Sequence, residues 1–494
     1  MLERELKLGA PAAFRLPDLA LVTIDVASAD AVTEKLKTTY FDTRDLRLTR
    51  WGCSLRYRIG QGWTVKLPGP LESNGDLLVR GEHVFQGEPQ APPPAALDLL
   101  TAYLRKSAVH EIVRLRTTRQ MITLKGPDGT PLAETVQDDV AVLDGRKIAD
   151  RFREIEIELK EAAPETLLPA ILERLQAAGA GAADPTPKIV RALGMRARRP
   201  PELEVEELAP EATAGAVLRR ALALASTRLL RHDAGIRLGT DPEDIHQARV
   251  AVRRLRSHLR TFLPLMDIEW AGSLRQELGW LADELGAVRD ADVLMDRLRK
   301  HAGALPPRDR NAGAQILALL AAQRAASMQR LNATVHDPRY IELLKRLVES
   351  ARAPQLAPIA AEAGMLTLPP LIASLYRNVR TMVDDFGQQP TDDQLHKLRI
   401  RAKRCRYAAE AVTPVIGRRA RSFARAAAAL QEVLGEHHDA VVAMQWVREH
   451  AASGPLTFVA GQFNALELTA ANAARAVWHE AWRAFDRKKL RSWM

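Results

Sequence analysis

The sequence predicts an α+β protein in which an N-terminal antiparallel β domain precedes an all-helical domain. Up to about residue 160, short segments alternate polar and apolar residues with the period of two that is typical of strands. From about residue 212 the chain is rich in Ala, Leu and Arg at helical spacing. Its 494 residues also exceed what one hydrophobic core usually serves, so more than one domain is expected.

A short acidic stretch separates the two parts. Residues 201–211, PELEVEELAPE, contain five glutamates and no basic residue. Prolines and a run of like charge are typical of a linker. We therefore predict a β domain over 1–200, a linker over 201–211 and a helical domain over 212–494.

The first strand gathers most of its charges on one face. In ERELK, a period of two places Glu3, Glu5 and Lys7 together, opposite Arg4 and the leucines. Later strands repeat this pattern with different charges. The residues that share such faces are Arg56 with Arg58, Lys66 with Thr64, Arg80 with Glu82, and Glu154 with Glu156, Glu158 and Lys160.

These faces have two interpretations. A half-exposed sheet could simply turn its charges toward solvent. However, one strand is acidic and another basic, and such segregation favours groups that converge on a ligand. A closed barrel with a charged interior would have to hold a charged ligand, because unpaired buried charge is prohibitive. Basic residues suit phosphates, and carboxylates at a spacing of two suit Mg²⁺ or Mn²⁺.

The ordered segments ERELK, YFDT at 40–43, LRYR at 55–58, TVK at 64–66 and EIEIEL at 154–159 resemble the CYTH domain, or triphosphate tunnel metalloenzyme. The resemblance implies an eight-stranded antiparallel tunnel that hydrolyses triphosphate compounds with Mg²⁺ or Mn²⁺. By position it implies metal ligation by Glu3, Glu5, Glu154, Glu156 and Glu158. It implies catalytic roles for Glu3, Glu5, Lys7 and Glu156. It implies phosphate binding by Lys7, Arg56, Arg58, Lys66, Arg80, Arg116, Arg119 and Lys188.

Two strands depart from the family's pattern. The family often has R-x-E-x-E, and here RGEHVF has Val84 where the second acid would fall. Arg116 and Arg119 have opposite parity, so placing both inside the tunnel requires a β-bulge, which we expect.

The helical part is duplicated. HQARVAVRRLR begins at residue 246 and HKLRIRAKRCR at 396, 150 residues later. LGAVRDADVL begins at 285 and LGEHHDAVVA at 434, 149 residues later. Matched segments in the same order predict two homologous helical halves, at about 212–350 and 365–494.

Each half places a histidine and basic residues along one helix face. The stripes are His246, Arg249, Arg253 and Arg256 in the first copy, and His396, Arg399, Lys403 and Arg406 in the second. A solvated basic face is the simpler interpretation, but like charges destabilise an isolated helix unless a polyanion offsets them. The best candidate for a metal site here is His437 and His438 with Asp439, but we expect Asp290 and Asp439 to have structural roles instead, capping helices or pairing with nearby arginines across the bundle.

These motifs resemble the CHAD domain. The resemblance implies two four-helix halves with a basic cavity that binds inorganic polyphosphate. Besides the two stripes, it adds Arg228, Arg231, Arg377 and Arg380 to the polyphosphate-binding surface. Residues 212–494 also carry 42 basic against 29 acidic residues, which suits a polyanionic partner.

Together these observations predict an inorganic triphosphatase that cleaves inorganic triphosphate, and short polyphosphate as an extension, and binds longer polyphosphate through its helical domain. The alternatives are a polyphosphate-binding adaptor with an inactive tunnel, a nucleotide or thiamine triphosphatase, and an adenylate cyclase. Few aromatic residues in the helical part argue against nucleic acid as the partner.

The compartment is predicted from three absences. No apolar run reaches the roughly 20 residues that span a bilayer, and no signal-peptide pattern is present. Cys53 and Cys405 lie far apart and suit reduced thiols. We expect a cytoplasmic protein that associates with polyphosphate granules and not with a membrane; the oligomeric state is left open.

Overall fold

The computed structural model describes residues 2–20, 22–69, 77–451 and 454–494, apart from the side chains of residues 2–4, 77–80 and 455. The chain divides into two compact units, Met1–Glu202 and Leu203–Met494. No helix among the described residues combines the length and the apolar character needed to cross a membrane.

The first unit is a closed barrel of eight strands, each antiparallel to its neighbours. The strands are β1 (Leu2–Gly9), β2 (Ser28–Asp42), β3 (Ser54–Arg58), β4 (Gly62–Pro68), β5 (Leu77–Phe85), β6 (His110–Lys125), β7 (Pro131–Asp144) and β8 (Lys147–Leu159). Around the barrel they follow the order β1-β5-β4-β3-β2-β6-β7-β8, and β8 pairs with β1 to close it. The predicted eight-stranded antiparallel tunnel is confirmed.

Five short helices accompany the barrel. They are α1 (Arg47–Arg50), α2 (Pro94–Asp98), α3 (Thr101–Leu104), α4 (Leu167–Ala177) and α5 (Lys188–Leu193). Helix α4 covers the apolar outer faces of β1 and β8, where its Ile171 belongs to the same buried cluster as Leu8 and Ile157. Because the apolar parity of these strands faces outward, the charged parity faces the barrel interior.

Helix α5 closes one end of the barrel. Its Ile189 is buried in a cluster with Tyr40, Val113 and Val140, which have the inward parity of β2, β6 and β7. This packing fixes the start of α5 inside the barrel and places Lys188 there.

The described part of the second unit contains nine α-helices. They are α6 (Ala214–Leu238), α7 (Pro242–Thr261), α8 (Ile268–Gly303), α9 (Arg310–His336), α10 (Pro338–Arg352), α11 (Gly364–Asp384), α12 (Asp392–Ile416), α13 (Arg418–Ala451) and α14 (Thr457–Phe485). Helices α6–α9 and α11–α14 correspond in order, which confirms the prediction of two repeated four-helix halves. Helix α10 is an addition between them.

Buried apolar residues of α7 and α12 fix the orientation of the charged stripe on each helix. In α7, Val252 and Leu259 are fully buried, and in α12, Leu398 and Cys405 are fully buried. Burial of these residues anchors each helix and fixes which face its basic residues present.

Candidate functional site

The barrel encloses a cavity of about 320 Å³ lined by inward side chains from all eight strands and from the start of α5. Carboxylates occupy the adjoining strands β7, β8 and β1, and we call Asp138, Glu154, Glu156 and Glu5 the acidic arc. Basic residues occupy the adjoining strands β3 and β4, and we call Arg56, Arg58 and Lys66 the basic arc. The charged residues of this lining are Glu5, Lys7, Arg56, Arg58, Lys66, Glu82, Arg119, Glu134, Glu156, Glu158 and Lys188.

Two buried ammonium groups lie among the carboxylates of the acidic arc. Lys7 Nζ is 2.5 Å from Glu156 and 2.9 Å from Glu5. Lys188 Nζ is 2.6 Å from Glu154 and from Glu156, and 2.8 Å from Asp138. Each charge therefore has counter-charges within direct contact, which is the condition for burying it at all.

Two opposing effects set the protonation states in the acidic arc: burial disfavours charged groups, and the ion pairs favour them. Burial opposes the charged form of Lys7, but Glu156 and Glu154 outweigh it and raise the pKa of that lysine. Burial also disfavours ionised Glu156, yet Lys188 and Lys7 hold the pKa of this carboxyl well below its usual range. The pKa of Glu5 is raised, by burial and by the nearby Glu156. Glu156 is thus a carboxylate at neutral pH.

The basic arc contains a guanidinium whose described partners are neutral. Arg56 and Lys66 share Glu82, at 3.6 and 2.7 Å. The Arg58 guanidinium is held by neutral groups, the Thr38 hydroxyl at 3.3 Å and the Gln61 side-chain carbonyl at 2.8 Å. Burial together with the nearby Arg56 and Arg119 lowers the pKa of Arg58 to about 10. An anion beside this guanidinium would be favourable.

The two arginines of β6 lie on opposite faces of the strand. Arg119 points inward and donates to Asp138 at 2.7 and 2.9 Å. Arg116 is exposed on the outer face, because β6 pairs with both neighbours without a register shift between these two positions. The expected bulge is absent there, so the expectation that Arg116 also faces the tunnel is wrong.

Glu3 and Arg80 have side chains outside the described residues, although their backbones pair across β1 and β5. Glu158 lines the cavity and contacts Lys160 at 2.9 Å. Val84, where the family's pattern has a second acid, also lines the cavity.

Asp138 is a site residue that the sequence analysis missed. Carboxylate oxygens of Asp138, Glu154 and Glu156 lie within 4.8 Å of one another, the arrangement of a cation site. Oxygen donors of this kind suit Mg²⁺ or Mn²⁺, and Lys188 Nζ lies among them, in contact with all three carboxylates. The available signal was parity, since Asp138 shares the inward face of β7 with Glu134.

The second unit contains a basic cavity of about 450 Å³ between α7, α8, α12 and α13. The two sequence stripes meet in it. The residues from the stripes that line it are His246, Arg249, Arg253, His396, Arg399 and Lys403.

The repeated LG-x-x-x-D segments hold the arginines of this cavity. Arg249 donates to the Gly286 carbonyl and to Asp290, both at 2.8 Å. A Cβ at Gly286 would lie 3.4 Å from the Arg249 guanidinium, so glycine gives that side chain room. In the second copy Arg399 lies beside Gly435 and 3.8 Å from Asp439.

Crowding of like charges changes protonation in the cavity. Burial, followed by Arg253 and Arg399, lowers the pKa of Lys403 to about 6. Burial and neighbouring cations also lower the pKa of His246 and of His396. The cations that line the cavity therefore repel one another, and a bound polyanion would reduce this repulsion.

Several predicted residues lie outside this cavity. Arg256 lines an adjoining groove, and Arg406 contacts Glu410 at 2.8 Å. The four arginines of α6 and α11 are not among the residues that line the cavity: Arg228, Arg231, Arg377 and Arg380.

The two neighbouring histidines of α13 face different partners. His437 is buried beside Asp392 and Arg475, at 3.2 Å from each. His438 stacks on His396 with ring centroids 4.1 Å apart. Within the described part of the chain, the residues that gather as metal ligands are Asp138, Glu154 and Glu156, not these histidines.

Comparison with known sequences assigns both units. Residues 1–187 match the CYTH domain and residues 220–448 match the CHAD domain. The uncharacterised protein Rv2226 of Mycobacterium tuberculosis (strain ATCC 25618 / H37Rv) is 31% identical over 492 residues, covering 92% of this chain and 90% of that protein.

Two solved structures are also similar. PptA from Streptomyces chartreusis is 23% identical, with a TM-score of 0.47, over 55% of this chain and 100% of that one. The CHAD domain from Ricinus communis is 26% identical, with a TM-score of 0.45, over 57% and 97%.

Proposed function

The chain belongs to the family of proteins that join a CYTH domain to a CHAD domain, and from this premise we propose that its barrel hydrolyses inorganic triphosphate. The observation that carries the proposal is the division of the barrel interior into an acidic arc and a basic arc. A metal-bridged chain of phosphates is complementary to both at once. The reaction adds water across a phosphoric anhydride bond and yields phosphate and pyrophosphate from triphosphate. Short polyphosphate would be a second substrate of the same kind.

In this mechanism Arg56, Arg58 and Lys66 bind the phosphate oxygens and orient the chain along the basic arc. Arg58 contributes most, because its described partners are neutral. Positioning and charge neutralisation are the main requirements of phosphoryl transfer, so these contacts account for much of the rate.

The acidic arc would hold Mg²⁺ or Mn²⁺ through Asp138, Glu154 and Glu156, with Glu5 beside them. When bound, the metal supplies charge neutralisation to the phosphate oxygens. Ionised Glu156 can accept a hydrogen bond from the attacking water and so orient it. Lys7 and Lys188 keep that carboxylate deprotonated.

Phosphate release with either metal tests this activity. Tripolyphosphate, ATP and long-chain polyphosphate are offered separately to the wild type, Glu5→Ala and Lys7→Ala. We expect turnover of tripolyphosphate that both variants lose. Preferred turnover of ATP, to ADP or to a cyclic product, would instead make the protein a nucleotide triphosphatase or a cyclase. No turnover at all would leave an adaptor.

We further propose that the helical unit binds inorganic polyphosphate in its basic cavity. Arg249, Arg253, Arg399 and Lys403 line one hollow, and the pKa of Lys403 is lowered by burial and then by repulsion from these arginines. Long-chain polyphosphate binding is measured for Arg253→Ala, with Arg299→Ala on exposed α8 surface as control. Loss in the first variant only is expected. Equal binding by both variants and the wild type would contradict the proposal that polyphosphate binds in the cavity.

We also propose a cytoplasmic location with recruitment to polyphosphate granules, since the helical unit would bring the tunnel to its substrate. Fluorescently tagged wild type should overlap with granules, and Arg253→Ala should be diffuse. A wild type that remains diffuse in cells rich in granules would contradict this location.

A further inference from the structure

We propose that the basic cavity of the helical unit continues on one side only, into an arginine-lined groove that holds the extension of a long, linear inorganic polyphosphate. The inference rests on the proposed binding function of this unit and adds residues that neither stripe contains. It assigns chain-length preference to Arg260, Arg275 and Arg404.

The groove is continuous with the cavity. It is a hollow of about 600 Å³ between α7, α8 and α12, and it shares Arg249, Arg253 and Lys403 with the cavity lining. A further hollow of about 290 Å³ shares Arg260 and Arg404 with the groove and reaches α11. The three hollows therefore form one track, which suits a linear ligand better than a compact one.

Positive charge is concentrated along this track. Burial, followed by Arg260 and Arg256, lowers the pKa of Arg275. Burial, followed by Arg260, lowers the pKa of Arg404, whose buried Nε has no hydrogen-bond partner among the described groups. Asp283 also lines the groove, yet the basic residues outnumber the carboxylates. An anion with regularly spaced charges would relieve this repulsion.

The duplication provides an internal comparison. The offset of 150 residues that relates α7 to α12 pairs Arg260 with Glu410. The offset of 149 residues that relates the LG segments pairs Arg275 with Ala424. Two cations of the groove are thus replaced by an acid and a methyl group on the opposite side of the repeat.

Two arginines of that opposite side share one carboxylate. Glu410 lies 2.7 Å from Arg254 and 2.8 Å from Arg406, the counterparts of Arg404 and Arg256. Arg254 also stacks over the Tyr407 ring, 4.6 Å from its centroid. The opposite side therefore has a carboxylate between two arginines where the groove has Arg260, and the phosphate chain leaves the cavity on the groove side.

The test compares Arg260→Glu, which installs the residue of the second repeat, with Arg299→Glu, an equal charge change on exposed α8 surface. Binding of tripolyphosphate and of long-chain polyphosphate to the full chain is measured with EDTA present, so that no metal-dependent hydrolysis intervenes. Circular dichroism checks that each variant is folded. A homopolymeric RNA of matched phosphate number serves as competitor.

We expect Arg260→Glu to weaken long-chain binding by about tenfold, the effect of one charge-assisted contact, and to leave tripolyphosphate binding unchanged. Arg299→Glu should bind both ligands as the wild type does. An equal loss of affinity for both chain lengths, or an equal loss of affinity in Arg299→Glu, would overturn the proposal that the groove binds the extension of the chain. Competition by RNA as strong as by polyphosphate would overturn the assigned ligand.

Arg253→Ala, in the cavity itself, separates the two proposals. If Arg253→Ala abolishes long-chain binding while Arg260→Glu has no effect, the cavity function stands and the groove fails. If neither variant affects long-chain binding, the binding function of the unit fails, and the groove with it.

Discussion

Lys7 illustrates how a single residue makes a charged interior tolerable. Its ammonium is buried and contacts Glu5, Glu154 and Glu156. Removing one partner of a buried ion cluster leaves the others uncompensated, which costs more than the pair contributes net. Lys7 is therefore a stabilising residue of the barrel as well as a candidate site residue.

Lys7→Met is expected to lower the free energy of unfolding by about 3–5 kcal/mol, because three carboxylates then lose a shared cation. Urea denaturation of the full chain, followed by hydrogen exchange in peptides of the barrel strands, measures this. Lys35→Met, on an exposed position of β2, is the control and should change stability little. A Lys7→Met barrel as stable as the control would show that the carboxylates are protonated or dispersed.

Residue parity predicted most of the tunnel from the sequence, and the failures have physical reasons. Lys7, Arg56, Arg58 and Lys66 have inward positions because strand alternation is strict where one face packs on helices. The prediction that Arg116 faces the tunnel was wrong because the expected bulge is absent between it and Arg119. Asp138 was missed because the apolar Val136 separates it from Glu134 on the inward face of β7, so the charge pattern is weaker there than in β1 or β8.

Helix α5 shows how a short element completes a site. It provides Lys188 from inside the barrel, and its position depends on Ile189 among the inward faces of β2, β6 and β7. Since Lys188 contacts three carboxylates, loosening of α5 would change the acidic arc directly.

Ile189→Ala is expected to destabilise the barrel by about 2–5 kcal/mol and to lower kcat/KM for tripolyphosphate, because the cavity it leaves frees Lys188. Thermal unfolding and phosphate release measure the two effects. Ile148→Ala, at a partly exposed position of β8, provides the control with the same change in side chain. Reduced stability with unchanged kcat/KM would contradict a positioning role for α5.

On helix α12, the lowered pKa of Lys403 predicts pH-dependent polyphosphate binding. Arg249 and Arg253 of α7, Arg399 of α12 and Asp439 of α13 surround this amine. With a pKa of about 6 in the free protein, Lys403 is mostly neutral at pH 7. A bound polyanion raises that pKa, so binding takes up a proton and strengthens as pH falls.

Affinity for long-chain polyphosphate should therefore rise by up to about tenfold per pH unit between pH 8 and 6, and level off below about pH 6. Calorimetric titrations in two buffers would also register the proton uptake. Lys403→Arg keeps its charge throughout this range and should show a flatter pH dependence. An identical slope in both proteins would assign the proton to another group.

At the level of elements, the sequence predicted the repeat but not every helix within it. Matching segments at offsets of 150 and 149 residues identified both four-helix halves, because each copy keeps the same basic face. Helix α10 has no counterpart, so comparison of the copies could not predict it. Helix α5 was not predicted inside the barrel, since its six residues give too short a pattern for its packing to be read.

The whole molecule separates its charge between two units. Residues 1–200 carry 29 basic and 27 acidic residues, whereas the excess of basic residues lies in 212–494. In the barrel, Lys7, Arg119 and Lys188 pair closely with carboxylates, whereas Arg58 has neutral described partners and is available to an anion. In the helical unit, cations face each other across a cavity, which favours attraction of polyanions over a wide surface.

The central claim is that the charged interior of the barrel binds and hydrolyses triphosphate. Two arginines of the same unit test it, because Arg58 faces the tunnel with neutral partners and Arg116 faces outward. The measurement is kcat/KM for phosphate release from tripolyphosphate with Mg²⁺ or Mn²⁺, for the wild type, Arg58→Gln and Arg116→Gln.

We predict that Arg58→Gln lowers kcat/KM by about tenfold or more, since a charge-assisted contact to phosphate is lost, and that Arg116→Gln matches the wild type. Equal activity of both variants and the wild type, or equal loss in both, would contradict the assignment of the barrel interior as the active site.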